Sequence, residues 1–105
     1  DEELLRKAIA IVEKNMSNVE FSTEQFASEM NMSRSNLHLK LKAITGKSAI
    51  EFIHKIRFNR ACQLLKEGKY TVSEISFMVG YNTPSYFSAR FKKYIGCLPT
   101  EYGKQ

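Results

Sequence analysis

Thr71-Val72-Ser73-Glu74-Ile75-Ser76-Phe77-Met78-Val79-Gly80-Tyr81-Asn82-Thr83-Pro84-Ser85-Tyr86-Phe87 holds one helix start, a turn and a second helix start within seventeen residues. Thr71 and Glu74 stand at capping-box spacing, in which the threonine hydroxyl accepts from the backbone three residues on and the glutamate reaches back. Ile75, Phe77, Met78 and Val79 follow as apolar bulk until Gly80-Tyr81-Asn82 breaks the run. Thr83 then offers a cap, and Pro84 falls at the first helical position, where its missing N–H leaves nothing unpaired. The helix that starts there carries Phe87, Phe91, Tyr94 and Ile95 on its inner face and stops at Gly96; Pro99 to Tyr102 predict a last short turn.

The same grammar occurs earlier in the chain. Ser22 matches Thr71, Gln25 matches Glu74 and Phe26 matches Ile75 at an offset of 49; past the turn the offset becomes 50, and Ser33, Leu37, Leu41, Lys42 and Gly46 match Thr83, Phe87, Phe91, Lys92 and Gly96. Ser22 to Gln25 is a second capping box, Phe26, Ala27 and Met30 form an inner face, and Ser33 caps a helix carrying Leu37, Leu41 and Ile44. Two helix-turn-helix units are expected, at about 22–46 and 71–96. Between them Ser48 starts a long linker helix to about Glu67, with Ile50, Ile53, Ile56, Arg57, Ala61, Leu64 and Leu65 inward and Gly68 as its stop. A first amphipathic helix, about residues 2–16, places Leu4, Leu5, Ala8, Ile9, Val12 and Met16 at helical spacing, and Val19 and Phe21 anchor the connection after it.

These elements make an all-α chain of about seven helices. The 105 residues, 43% hydrophobic, suffice for one domain, and five Gly and two Pro are too few for the frequent turns of an all-β chain. The start Asp1-Glu2-Glu3 is not a signal peptide and no apolar run reaches membrane length, so a cytoplasmic domain without membrane contact is expected. Cys62 and Cys97 lack zinc-ligand spacing and read as reduced thiols; no cofactor or metal is called for.

Charge is distributed unevenly along the chain. Residues 1–30 hold seven acids and three bases, whereas residues 31–105 hold four acids and thirteen bases. Two zones lack acids altogether: Asn31–Ile50, with Arg34, Lys40, Lys42 and Lys47, and Ile75–Thr100, with Arg90, Lys92 and Lys93. Two basic zones suit contact with a polyanion at two places. In each unit's second helix the core positions (37, 41, 44 and 87, 91, 94) leave a solvent stripe. It is Ser35, His38, Leu39 and Lys42 in the first unit and Ser85, Ser88, Ala89 and Lys92 in the second. Short hydroxyl and imidazole groups reach base edges in a major groove, Leu or Ala meets a thymine methyl, and Lys takes a phosphate. Arg34 and Tyr86 join the base-facing set, and Lys40, Arg90 and Lys93 join Lys42 and Lys92 in the phosphate-facing set. A linker of twenty residues spans about 30 Å, close to the roughly 34 Å between successive major-groove faces on one side of B-DNA.

At this level of detail the sequence resembles the DNA-binding domain of the AraC/XylS family of bacterial transcription regulators. The likeness rests on Ser33, Leu37, Leu41 and Lys42, on Ile56-Arg57-Phe58-Asn59-Arg60-Ala61, on Gly80-Tyr81, Ser85-Tyr86-Phe87-Ser88 and Phe91-Lys92-Lys93, and on Gly96, Pro99 and Tyr102. Asp1 to Ala8 further resembles the segment that precedes this domain in hybrid two-component sensor regulators. The resemblance implies one domain over 1–105 that binds adjacent major grooves of double-stranded DNA through both units, as the output module of an activator whose full-length form contacts RNA polymerase. The chain departs from the family pattern at Leu39 and Ala89, where arginine is frequent, and at Gly103, where arginine usually follows the last tyrosine. The first two departures remove guanine readers, so relatives do not supply the target sequence.

A helical protein-interaction module with a basic face is the competing reading, and an enzyme is the weakest. His38 and His54 are isolated, and no cysteine-base pair, phosphate loop or carboxylate cluster is present. Tyr86 and Tyr102 fit either a backbone contact or the core. The isolated domain is expected to be monomeric, with the first unit discriminating among sequences and the second anchoring and reading shape.

Overall fold

The computed structural model describes residues 1–104, and every regular element among them is helical: α1 (Glu2–Lys14), α2 (Thr23–Glu29), α3 (Arg34–Thr45), α4 (Ala49–Glu67), α5 (Val72–Met78), α6 (Pro84–Ile95) and α7 (Pro99–Tyr102). None is long and apolar enough to cross a membrane. The chain divides into two compact units, one of residues 1–15 and 20–56, the other of residues 16–19 and 57–105.

Local chemistry sets the helix ends. Asp1 accepts from the Leu4 N–H, and α1 stops at Lys14 rather than at Met16, because the Asn15 side chain and N–H both turn back to the Ile11 carbonyl. Met16 belongs to the second unit and packs against that unit's core. Ser22 caps α2 through the Gln25 N–H, but the box is only half closed: the Gln25 amide reaches forward to Glu29. Thr71 and Glu74 close theirs in both directions, at 3.1 and 2.8 Å. Ser48 and Glu51 form a similar reciprocal pair at the start of α4, at 3.0 and 3.2 Å. Thr83 makes no cap bond, and its hydroxyl meets Asn82 Oδ1; Pro84 alone marks the start of α6.

In the first unit Ala8, Val12, Phe26, Ala27, Leu37 and Leu41 are sealed from solvent, with Phe21, Phe52 and Ile53 around them. Phe26 lies 5.8 Å from Phe21 and 6.0 Å from Phe52, ring centre to ring centre. Val19, expected as an anchor beside Phe21, is exposed. In the second unit Phe58 is the hub, its ring within 5.3–6.1 Å of Tyr81, Phe87, Phe91 and Tyr94. Tyr102 stands edge-on to Phe91 at 5.8 Å, which places it with the core. Tyr94, assigned inward from the spacing, packs on Phe58 yet leaves 40% of its surface in solvent.

Ile50 requires a correction. The apolar spacing groups it with the inward residues of the linker helix, and it is 50% exposed. The inner positions at the start of α4 are Ala49, Phe52 and Ile53, which puts Ile50 about 100° around the helix from Ala49.

Candidate nucleic-acid interface

Each unit presents its second helix through a turn with a residue in the left-handed region. In the first unit this is Asn31 (φ +59°), whose N–H bonds to the Ser28 carbonyl while Met32 N–H bonds to that of Ala27. In the second it is Gly80 (φ +90°), with Gly80 to Phe77 and Tyr81 to Ser76. All four pairs of matching positions are 49 residues apart, so the repeat extends to the hydrogen bonds of the turn. Past the turn, Ser33 caps α3 at 3.1 Å through the Asn36 N–H, and Gly46 and Gly96 end α3 and α6 with N–H bonds to the carbonyls of Lys42 and Lys92.

Helix α3 seals Leu37 and Leu41 against its core, and this fixes what it turns outward. Arg34, Ser35, His38, Leu39, Lys40 and Lys42 are all exposed, Leu39 by 65%. Arg34, Ser35, His38 and Leu39 share one open depression with Thr23, Ser48, Ala49 and Ile50. Lys40 and Lys42 do not line it. Thr23 and Ile50 were not anticipated, since they belong to the starts of neighbouring helices and no spacing within α3 points to them. The Ser48 N–H and hydroxyl hold the Glu51 carboxyl below its ordinary value, and Lys42 and Lys47 push it the same way.

Helix α6 is built alike on Phe87 and Phe91. Ser85, Tyr86, Ala89, Lys92 and Lys93 are exposed, whereas Ser88 and Arg90 are half-buried. Arg90 donates from Nε to the Tyr86 hydroxyl at 3.0 Å and lies over that ring at 5.3 Å. Among the described residues Arg34, Lys40, Lys42, Lys92 and Lys93 enter no salt bridge; Lys14 and Glu29 form one at 3.5 Å. An unpaired cation on an exposed face is available to a phosphate.

Behind α6 sits the buried cation Arg57. It donates to the carbonyls of Gly80 (3.3 Å) and Asn18 (2.9 Å) and lies over Tyr81 at 5.5 Å. Burial lowers the Arg57 pKa and raises that of the Tyr81 hydroxyl, so the ring stays neutral beside the cation. No group of three or more His, Cys, Asp or Glu able to hold a metal occurs among the described residues. Cys62 and Cys97 are not joined in a disulfide and are half-buried, and burial pushes the Cys62 thiol up.

Two helix-turn-helix units in one chain, each with a basic second helix, define a class of nucleic-acid-binding domain. A family model described as "Helix-turn-helix domain" matches residues 26–105. The C-terminal domain of AraT, a response regulator from Geobacillus stearothermophilus, is similar with a TM-score of 0.86 and 34% identity over 96% of this chain and 84% of that one. A DNA-binding transcriptional dual regulator from Escherichia coli K-12 gives 0.82 and 30% over 93% and 86%. A protein named Histidine kinase P4 from Formosa agariphila is 45% identical over 102 residues, 97% of this chain but 7% of the kinase. The chain belongs to the helix-turn-helix domain family, as a DNA-binding domain of AraC type. It spans well under two thirds of the curated relatives it matches.

Proposed function

We propose that this domain recognises a specific sequence of double-stranded DNA, with α3 and α6 each entering a major groove, as the output module of a bacterial transcription regulator. One observation carries the reading. Each unit's second helix buries two large side chains completely and leaves short polar groups and unpaired cations in solvent. Such a face meets bases with its short groups and phosphates with its cations.

In this reading Arg34, Ser35, His38 and Leu39 of α3 and Ser85, Tyr86, Ser88 and Ala89 of α6 face the bases. Lys40, Lys42, Arg90, Lys92 and Lys93 face phosphates. The first unit discriminates more, because all four of its base-facing groups are exposed around one depression, whereas Ser88 is half-buried. The likeness to a response regulator and to a protein named a histidine kinase supports a two-component parent. In that parent the domain acts in the cytoplasm as an activating module beside RNA polymerase, itself monomeric and away from any membrane.

Footprinting on a selected duplex tests the docking. Protection over about two helical turns is expected if both units engage; protection of one major groove alone would remove α6 from the reading.

A further inference from the structure

Tyr86 and Arg90 stand one turn apart on α6 and are already joined in the free domain. The Arg90 Nε donates to the Tyr86 hydroxyl at 3.0 Å, and its guanidinium covers the ring at 5.3 Å. Tyr86 in turn lies 6.1 Å from Tyr81, a buried ring that carries Arg57 on its other contacts at 5.5 Å. Arg57 is itself fixed by the carbonyls of Gly80 and Asn18. Two neighbouring rings flanked by two cations therefore run from the interior of this unit to its surface: Arg57, Tyr81, Tyr86, Arg90.

We infer that Tyr86 is a positioning residue that acts on duplex DNA through Arg90, and that the pair is a pre-set clamp for one backbone phosphate. The inference rests on the reading that α6 docks on DNA. With Nε committed and one face covered, the Arg90 guanidinium keeps Nη1 and Nη2 for a ligand. Two parallel N–H donors match the two free oxygens of a phosphodiester. Residues 86 and 90 lie about 100° around the helix from 85 and 89, beside the base-facing stripe, where a backbone is nearer than a base edge. Ordering a long arginine on binding costs conformational entropy, and an arginine held beforehand loses less.

The first unit has no such device. The positions matching Tyr86 and Arg90 at an offset of 50 are Asn36 and Lys40, an amide without a ring and a compact charge without a fork. The pair thus takes Tyr86 out of the base-facing set proposed above and gives the second unit a fixed register on the backbone.

The test measures binding of the 105-residue chain to a duplex selected by the wild type, for Tyr86→Phe, Arg90→Ala and the double variant. Duplexes carrying a neutral methylphosphonate at one phosphate at a time complete the set. Thermal melts confirm that each variant folds. Tyr86→Phe should weaken binding about three- to tenfold, the net worth of one ordinary hydrogen bond. Arg90→Ala should lower the salt slope by about one and abolish sensitivity to a single methylphosphonate position. In the Arg90→Ala background, Tyr86→Phe should have no further effect. An equal loss in both backgrounds would show that Tyr86 touches DNA by itself and overturn the inference. So would a change of base preference at one position on Arg90→Ala, which would make Arg90 a base reader. Failure of the wild type to prefer any duplex would instead overturn the reading of sequence-specific recognition beneath it.

Discussion

Arg57 Nη1 donates to the carbonyl of Gly80 at 3.3 Å, so a cation of the linker helix closes the turn that presents α6. The turn leaves no room for more: a Cβ on Gly80 would lie 2.5 Å from the Met16 carbonyl and 2.7 Å from the Arg57 Cζ. Gly80→Ala is expected to destabilise the second unit by about 3 kcal/mol, combining the left-handed penalty with a displaced hydrogen bond. Asn31→Gly, at the matching turn, should change stability by less than about 1 kcal/mol. Urea unfolding of the two variants measures both, and an equal small effect would mean that the close approach at Gly80 relaxes freely.

The cations at the ends of the two stripes should behave as phosphate contacts. Lys42→Ala and Lys92→Ala are each expected to weaken binding to all duplexes alike and to reduce the slope of log affinity against log salt by about one. A titration series across salt concentrations reads this out. Loss confined to the preferred sequence would place these lysines at base edges.

Helix α3 should carry more of the sequence preference than α6. Exchanging His38 and Leu39 is expected to alter the preferred bases by about 1 to 3 kcal/mol per good contact, and Leu39→Arg to introduce a guanine preference at one position. Exchanging Ser88 and Ala89 should move preference less. Competition among single-base variants of a selected duplex measures both, and equal shifts would contradict the asymmetry.

Acid should weaken the start of α4. The Glu51 carboxyl titrates below its ordinary 4.5 in the folded chain, chiefly because the Ser48 N–H and hydroxyl bond to its charged form. A lowered folded value means that the contribution is complete above 4.5 and is lost as pH falls through the folded value. The stability gap between wild type and Glu51→Gln should therefore be constant near neutrality and close on acidification. Denaturation midpoints across that range measure it, and a gap that persisted in acid would assign the effect to something other than the charge.

Much of this arrangement was legible in the residues because helix starts and stops are local events. The caps at Ser33 and Thr71 and the stops at Gly46 and Gly96 fell where their spacing indicated. The linker helix was harder, for a physical reason. Ala49, Phe52 and Ile53 serve one core, while Phe58, Ala61, Leu64 and Leu65 serve the other. Its apolar positions therefore do not form one stripe, and reading them as one turned Ile50 inward and passed over Phe52 and Phe58. The positions of Leu37, Leu41, Phe87 and Phe91 assign the stripes of α3 and α6 to solvent, and all of those side chains are exposed except Ser88, which is half-buried. Thr23 and Ile50 could not be added, because their nearness to Leu39 comes from tertiary packing. The Tyr86–Arg90 pair had a signal in its four-residue spacing, but that spacing alone does not separate a joined pair from two independent contacts.

Selection of the 105-residue chain against a random pool of duplex DNA tests the central claim most directly. The expected result is an enriched motif of two short blocks about one helical turn apart, with sharper base preference in the block that changes when His38 and Leu39 are exchanged. A pool that stays random while the chain still binds duplex in a salt-dependent way would contradict specific recognition by α3 and α6.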